Sequence, residues 1–301
     1  MSFGAKALNL AIRASGIKKK YSLPENEFLA EVRKMNRNRG FYMPRDTKAV
    51  YGERDVLRSR CLVVQLRETP AERAILYFYG GGMLIGPDKG DVDVLVKLAH
   101  RTGCDVWFPN YPLCTEHCIT DTYDVAFECY RLMLGIYGAG NVSTCGFSSG
   151  GALALGVAAH NNATGAGLPM PRHIVAVSPG EVPWNDAERT LMQANNASDA
   201  MVDYAFMCKV ERLERHGRDD VPNYMIHISK GDFSGVRDVH LVYSTSEVLY
   251  GTKENLLAAF ARDGVICTVR ERPGMIHAYA MLPYFRESRE DFEELAKYLK
   301  Q

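Results

Sequence analysis

The chain has 301 residues, 47% of them hydrophobic and 24% charged, which is the balance of an ordinary globular protein large enough for a sizeable core. Lys plus Arg and Asp plus Glu number 36 each, so there is no surplus of positive charge for a phosphate backbone or an anionic lipid surface, and nucleic acid is excluded as an expected partner.

At the N-terminus the basic cluster Lys18-Lys19-Lys20 follows the apolar residues Leu8, Leu10, Ala11 and Ile12, the reverse of a secretory signal. No apolar run reaches the roughly 18 residues of a membrane span, so no membrane span and a cytoplasmic location are expected. Phe28, Leu29, Val32 and Met35 recur at helical spacing after Pro24-Glu25. Residues 1–45 are therefore expected to form a helical segment lying over the main domain. Val50 to Val56 reads as an edge strand, followed by strands at Cys61–Leu66 and Ala74–Tyr79.

Three consecutive glycines, Gly80-Gly81-Gly82, come directly after the third of these strands. Such a loop can point backbone amides at a small anion, though a flexible turn uses the same residues. Val92, Leu95, Val96 and Ala99 outline a helix, Cys104–Phe108 a strand, and Asp121–Tyr137 a further helix.

Val142-Ser143-Thr144-Cys145 then leads into Gly146-Phe147-Ser148-Ser149-Gly150, with a small-residue helix after it. Gly-x-Ser-x-Gly alone is a weak signal. Between a strand and a helix it is the setting of a nucleophile elbow, where a bulky side chain at Gly146 or Gly150 would collide with its neighbours.

His173–Ser178 is the next strand, after which residues 181–234 break the strand–helix rhythm. An insertion of that length at a catalytic edge is expected to form a helical cap, with Trp184, Phe206 and Met207 lining a substrate pocket beside Phe147. Val239–Ser244 and Val265–Val269 complete the strands, and a last helix begins near Glu287. The edge strand before Gly274 could pair two copies across a two-fold axis. The alternation predicts an α/β protein with a mostly parallel central sheet and helices on both faces. Its catalytic domain would comprise residues 46–180 and 235–301, with the chemistry at the carboxyl ends of the strands.

A serine hydroxyl needs a base to take its proton, and the base needs a group to orient it. Of eight histidines, His277 alone lies late in the chain in a loop just past a strand. Between Ser148 and His277 the acid just beyond a strand end is Glu247, whereas Asp238 and Asp263 precede their strands. Cys114, His117 and Cys118 are close together, but no second ligand pair at zinc-like spacing accompanies them. No metal or organic cofactor is expected, and the eight cysteines read as buried thiols.

Taken together, these motifs resemble the hormone-sensitive-lipase-like branch of the α/β-hydrolase fold, from about Ala74 to the end. The family's His-Gly-Gly-Gly loop is matched by Tyr79-Gly80-Gly81-Gly82, and its Tyr-Arg-Leu-Ala-Pro-Glu-His by Tyr111 to His117. Its Gly-Asp-Ser-Ala-Gly-Gly elbow appears as Gly146 to Gly151, its acid loop as Glu247-Val248-Leu249, and its Gly-Met-x-His as Gly274 to His277. Tyr79, Phe147 and Glu247 depart from the usual histidine, aspartate and aspartate. The resemblance implies a carboxylesterase acting on a small-molecule ester with short acyl groups. Ser148 would be the nucleophile, His277 the base and Glu247 its orienting acid, with Gly80, Gly81 and Ser149 as oxyanion donors. A ligand-binding scaffold without turnover, or an amidase or peptidase on the same residues, are the alternatives.

Overall fold

The protein is described from a computed structural model that covers residues 1–40 and 49–301. The expected boundary at residues 45 and 46 lies outside the described residues. Eight strands form one sheet: β1 (Val50–Val56), β2 (Ser59–Gln65), β3 (Ala74–Phe78), β4 (Asp105–Pro109), β5 (Val142–Phe147), β6 (Ile174–Val177), β7 (Asp238–Ser244) and β8 (Ile266–Arg272). Their order is β1-β2-β4-β3-β5-β6-β7-β8. The β1–β2 and β2–β4 pairs are antiparallel, and every other pair is parallel.

Eleven α-helices accompany the sheet among the described residues: α1 (Phe3–Ser15), α2 (Ile17–Tyr21), α3 (Glu25–Asn36), α4 (Lys89–Thr102), α5 (Ile119–Tyr137), α6 (Ser149–Thr164), α7 (Asp186–Asn195), α8 (Tyr204–Arg215), α9 (Asn223–Ile226), α10 (Lys253–Arg262) and α11 (Arg286–Lys300). From β3 the chain crosses outward to β4 through α4, then returns past β3 to β5 through α5. Right-handed crossovers in opposite directions place their helices on opposite faces. In keeping with this, α4 packs with α11 and α5 with α6. Cover on both sides explains why every residue of β3, β4 and β6 is buried. β8 closes the sheet with an exposed face and leaves Ile266 65% exposed.

The reversal of direction also fixes where a site can form. Because the connections from β3 and β5 leave toward opposite sides, a crevice opens at the carboxyl ends of these neighbouring strands. Residues of α2, α3, α8 and α9 line the cavity at that crevice. Phe28 of α3, Tyr21 of α2 and Phe206 of α8 meet with ring centroids 5.1–5.9 Å apart. Lys18 donates to the carbonyls of Asn196 and Asp199, the latter at 2.9 Å, so the N-terminal helices and the insertion are joined. Among the described residues no helix is long and apolar enough to cross a membrane.

Candidate active site

Ser148 sits between β5 and α6 with φ 54° and ψ −132°, a backbone conformation held only where the surroundings over-determine it. Its N–H donates to the Val177 carbonyl at 2.9 Å, and its carbonyl accepts from Gly151 at 2.8 Å and Gly180 at 2.9 Å. The glycines around it leave no room for a side chain. A Cβ at Gly146 would stand 2.2 Å from the Gly150 oxygen, and one at Gly150 would stand 2.3 Å from the oxygens of Phe78 and Tyr79. The α6 helix runs from this turn and is buried around nearly its whole circumference, which explains its run of glycine, alanine and leucine.

Glu247 follows β7, and His277 lies in the loop after β8. His277 Nδ1 and Glu247 Oε2 are 2.5 Å apart, and both side chains are buried. The other carboxylate oxygen, Oε1, accepts from Ser178 Oγ at 2.8 Å and from the Ser244 N–H at 2.9 Å. Ser178 Oγ also accepts from the Ala278 N–H at 3.2 Å, and Ser244 Oγ donates to the Met275 carbonyl at 2.7 Å. Two serines thereby tie the acid loop to the histidine loop. Burial alone would lower the His277 pKa, but the hydrogen bond and negative charge of Glu247 outweigh it and raise the value. With Nδ1 engaged by a carboxylate, Nε2 is left without a hydrogen-bond partner, and no hydrogen bond joins it to Ser148 among the described residues.

The glycine loop is held from three sides. Ser149 Oγ accepts from the Met83 N–H at 3.2 Å, the Cys114 N–H donates to the Met83 carbonyl at 2.7 Å, and Tyr111 Oη donates to the Tyr79 carbonyl at 2.7 Å. Tyr79 stacks flat on Tyr111 with centroids 4.2 Å apart. The stacked rings thus anchor the loop from below. The N–H groups of Gly80, Gly81 and Ser149 donate to no acceptor among the described residues. Gly80 is also pressed close to the elbow, because a Cβ there would lie 2.5 Å from the Phe147 ring and 2.9 Å from Ser148 Cβ.

A model of the α/β-hydrolase-fold family matches residues 75–281. The chain belongs to that family. No curated protein matches it in sequence. In structure it is similar to EstE5, in a crystal soaked with p-nitrophenyl butyrate, at 19% identity and a TM-score of 0.82 over 100% of this chain and 98% of that one. It is also similar to an esterase from the bacterial hormone-sensitive lipase family, at 20% identity and a TM-score of 0.79 over 97% of each chain. The hormone-sensitive-lipase homolog EstE7 from a metagenome library gives 20% identity and 0.79, covering 99% of this chain and 98% of its own. The predicted architecture, a mostly parallel sheet of the α/β-hydrolase fold, is what the structure and these matches display.

In this α/β-hydrolase, Gly80, Gly81, Phe147, Ser148, Ser149, Phe206, Met207 and His277 all line one cavity of about 340 Å³. Trp184 does not. It corrects the expectation of a pocket residue: its indole N–H is bound to Ser229 Oγ at 3.0 Å, Lys230 lies over its ring at 4.6 Å, and 38% of it is exposed. Cys114 and Cys118 are buried, whereas His117 lies at the surface near Asp121. Sequence reasoning missed Ser178, Ser244 and Asp199, whose carboxylate accepts from the Val248 N–H at 2.8 Å. Ser244 ends β7 and Ser178 directly follows β6 on the carboxyl edge, which was the available signal. Asp199 had none, because it reaches the acid loop from the insertion.

Proposed function

We propose that this chain is a serine carboxylesterase of the hormone-sensitive-lipase-like branch, hydrolysing short-chain acyl esters through Ser148, His277 and Glu247. The observation that carries this reading is the His277–Glu247 pair, 2.5 Å apart, with the far ring nitrogen unpartnered and His277 and Ser148 lining one cavity. His277 takes the proton of Ser148 as the hydroxyl attacks the ester carbonyl. Glu247 selects the tautomer with hydrogen on Nδ1 and stabilises the imidazolium that forms. The unengaged N–H groups of Gly80, Gly81 and Ser149 receive the oxyanion, a contribution of about 3 kcal/mol per donor in comparable sites. His277 then protonates the leaving alcohol, and water repeats the sequence on the acyl-enzyme. The cavity volume of about 340 Å³ suits a small substrate. Helices α1–α3 and residues 181–234 serve as the cap that excludes bulk solvent.

Ser148→Ala lowers kcat for p-nitrophenyl butyrate by about 10⁶, as loss of one member of a cooperating triad does. Turnover near the wild-type rate would refute the assignment. Labelling of wild type by a fluorophosphonate distinguishes an esterase from a mere binding scaffold, and an anilide of the same acyl group separates esterase from amidase.

A further inference from the structure

The cavity that serves Ser148 is apolar over most of its wall, yet it is also acidic. Among the described residues lining it, Asp88, Asp91, Glu181 and Glu214 are acids and Arg39 is the one Lys or Arg, already paired with Asp88 at 3.1 Å. Two of the acids are more than nine-tenths buried. Glu214, at the end of α8, is 7% exposed and has neither a hydrogen bond nor an ion pair among the described residues. Glu181, 1% exposed, is held through Oε1 by the N–H and hydroxyl of Ser229, while its Oε2 has no partner. The Tyr77 hydroxyl, in the same cavity, is likewise buried and unpartnered.

A buried carboxylate without a counter-ion is costly, and such a group stays protonated until a cation arrives. Burial pushes the Glu214 carboxyl well above the usual range, with Glu211 adding to the effect and Arg215 opposing it. Cys114 and Tyr123 are its other titratable neighbours, on the loop before α5 and on α5. Burial and the charge of Glu188 lift Glu181 to about 8, against the Ser229 hydrogen bonds and the charge of Lys230. Aromatic faces complete the setting, since Tyr21, Phe147 and Phe206 line the same space and ammonium groups are attracted to such rings. A neutral ligand or an anion gives neither acid a reason to ionise, and only a cation does.

We infer that this cavity recognises a positively charged alkylammonium group on the ester substrate, with Glu214 as its principal counter-ion and Glu181 in support. Binding turns the Glu214 carboxylic acid into a carboxylate, the proton leaving to solvent as the ammonium ion takes its place. This inference rests on Ser148 being the esterolytic centre of the cavity.

The test uses the Ser148→Ala protein, in which binding is read by titration calorimetry without turnover. Probes are n-butylammonium, n-butanol and butyrate. Expected are an affinity at least about tenfold higher for n-butylammonium than for the other two, and release of roughly one proton at neutral pH, seen by varying the buffer. The n-butylammonium affinity rises with pH as the raised Glu214 carboxyl becomes easier to ionise, whereas that of n-butanol stays flat. Glu214→Gln abolishes the preference and the proton release. Equal affinities, or binding without proton release, would overturn the proposal, and a preference that survives in Glu214→Gln would overturn the assignment to Glu214. If that variant does not fold, the proton release and pH dependence in the Ser148→Ala protein decide alone. Hydrolysis of p-nitrophenyl butyrate by wild type is scored separately, so failure of the esterase reading is not confused with failure of this one.

Discussion

His277 carries the pH dependence of the proposed reaction. Only its neutral form can accept the Ser148 proton, and Glu247 raises its pKa against the opposing effect of burial. Activity therefore climbs as pH passes upward through the raised value, and the acid limb of kcat/KM has its midpoint above about 6.5. Glu247→Gln removes the charge that holds the value up and leaves burial opposed by the charge of Asp199. That variant shifts the midpoint downward and lowers kcat by about 10⁴, as the equivalent change does in a serine protease. An unmoved midpoint in the pH–rate profile would separate Glu247 from His277. The placement of these two residues beside each other was legible from strand ends alone, since each follows a strand of a parallel sheet. The two serines that fasten them were not. Ser178 and Glu247 are 69 residues apart, and nothing local marks such a contact.

The elbow and its helix depend on close approach of backbone to backbone. Gly146→Ala would drive a Cβ to 2.2 Å from the Gly150 carbonyl oxygen, and it costs more than about 4 kcal/mol, enough to unfold a marginal domain. Gly135 offers the contrast. It lies in α5 with nothing within 4 Å of a Cβ, so Gly135→Ala stabilises the protein by about 0.5–1 kcal/mol in urea denaturation. Equal effects of the two substitutions would show that the steric account is wrong. Lys18 links the N-terminal helices to the acid loop by hydrogen bonds. It bonds the Asp199 carbonyl at 2.9 Å, while the Asp199 side chain supports the Val248 N–H next to Glu247. Lys18→Ala is expected to cost about 1.5–3 kcal/mol, the range for hydrogen bonds to charged groups, and to lower kcat more than it raises KM. A change confined to KM would detach the helices from the acid loop.

Among the described residues there is one sheet, whose final strand, β8, has only β7 beside it, with Ile266 largely exposed. Such an edge invites pairing with a second copy. Light scattering is expected to give twice the chain mass of 33.6 kDa, and Ile266→Lys is expected to return it to a single chain. A wild-type protein that scatters as one chain at all concentrations would dispose of the idea. The zero formal net charge adds no long-range repulsion against association.

Order along the chain was enough to determine the alternating strands and helices, the placement of Ser148 on a turn, and the candidacy of Glu247 and His277. Each of these depends on periodicity or on residues a few positions apart, which short-range sterics govern. The cavity was decided by the tertiary structure. Trp184 reads as a pocket residue from its size and position, yet it does not line the cavity, and its indole is held by Ser229, 45 residues away. Glu181 and Glu214 look like ordinary surface acids in the sequence. They become buried acids of one cavity only in the folded chain, because burial and missing counter-ions are properties of surroundings assembled from distant parts of the chain.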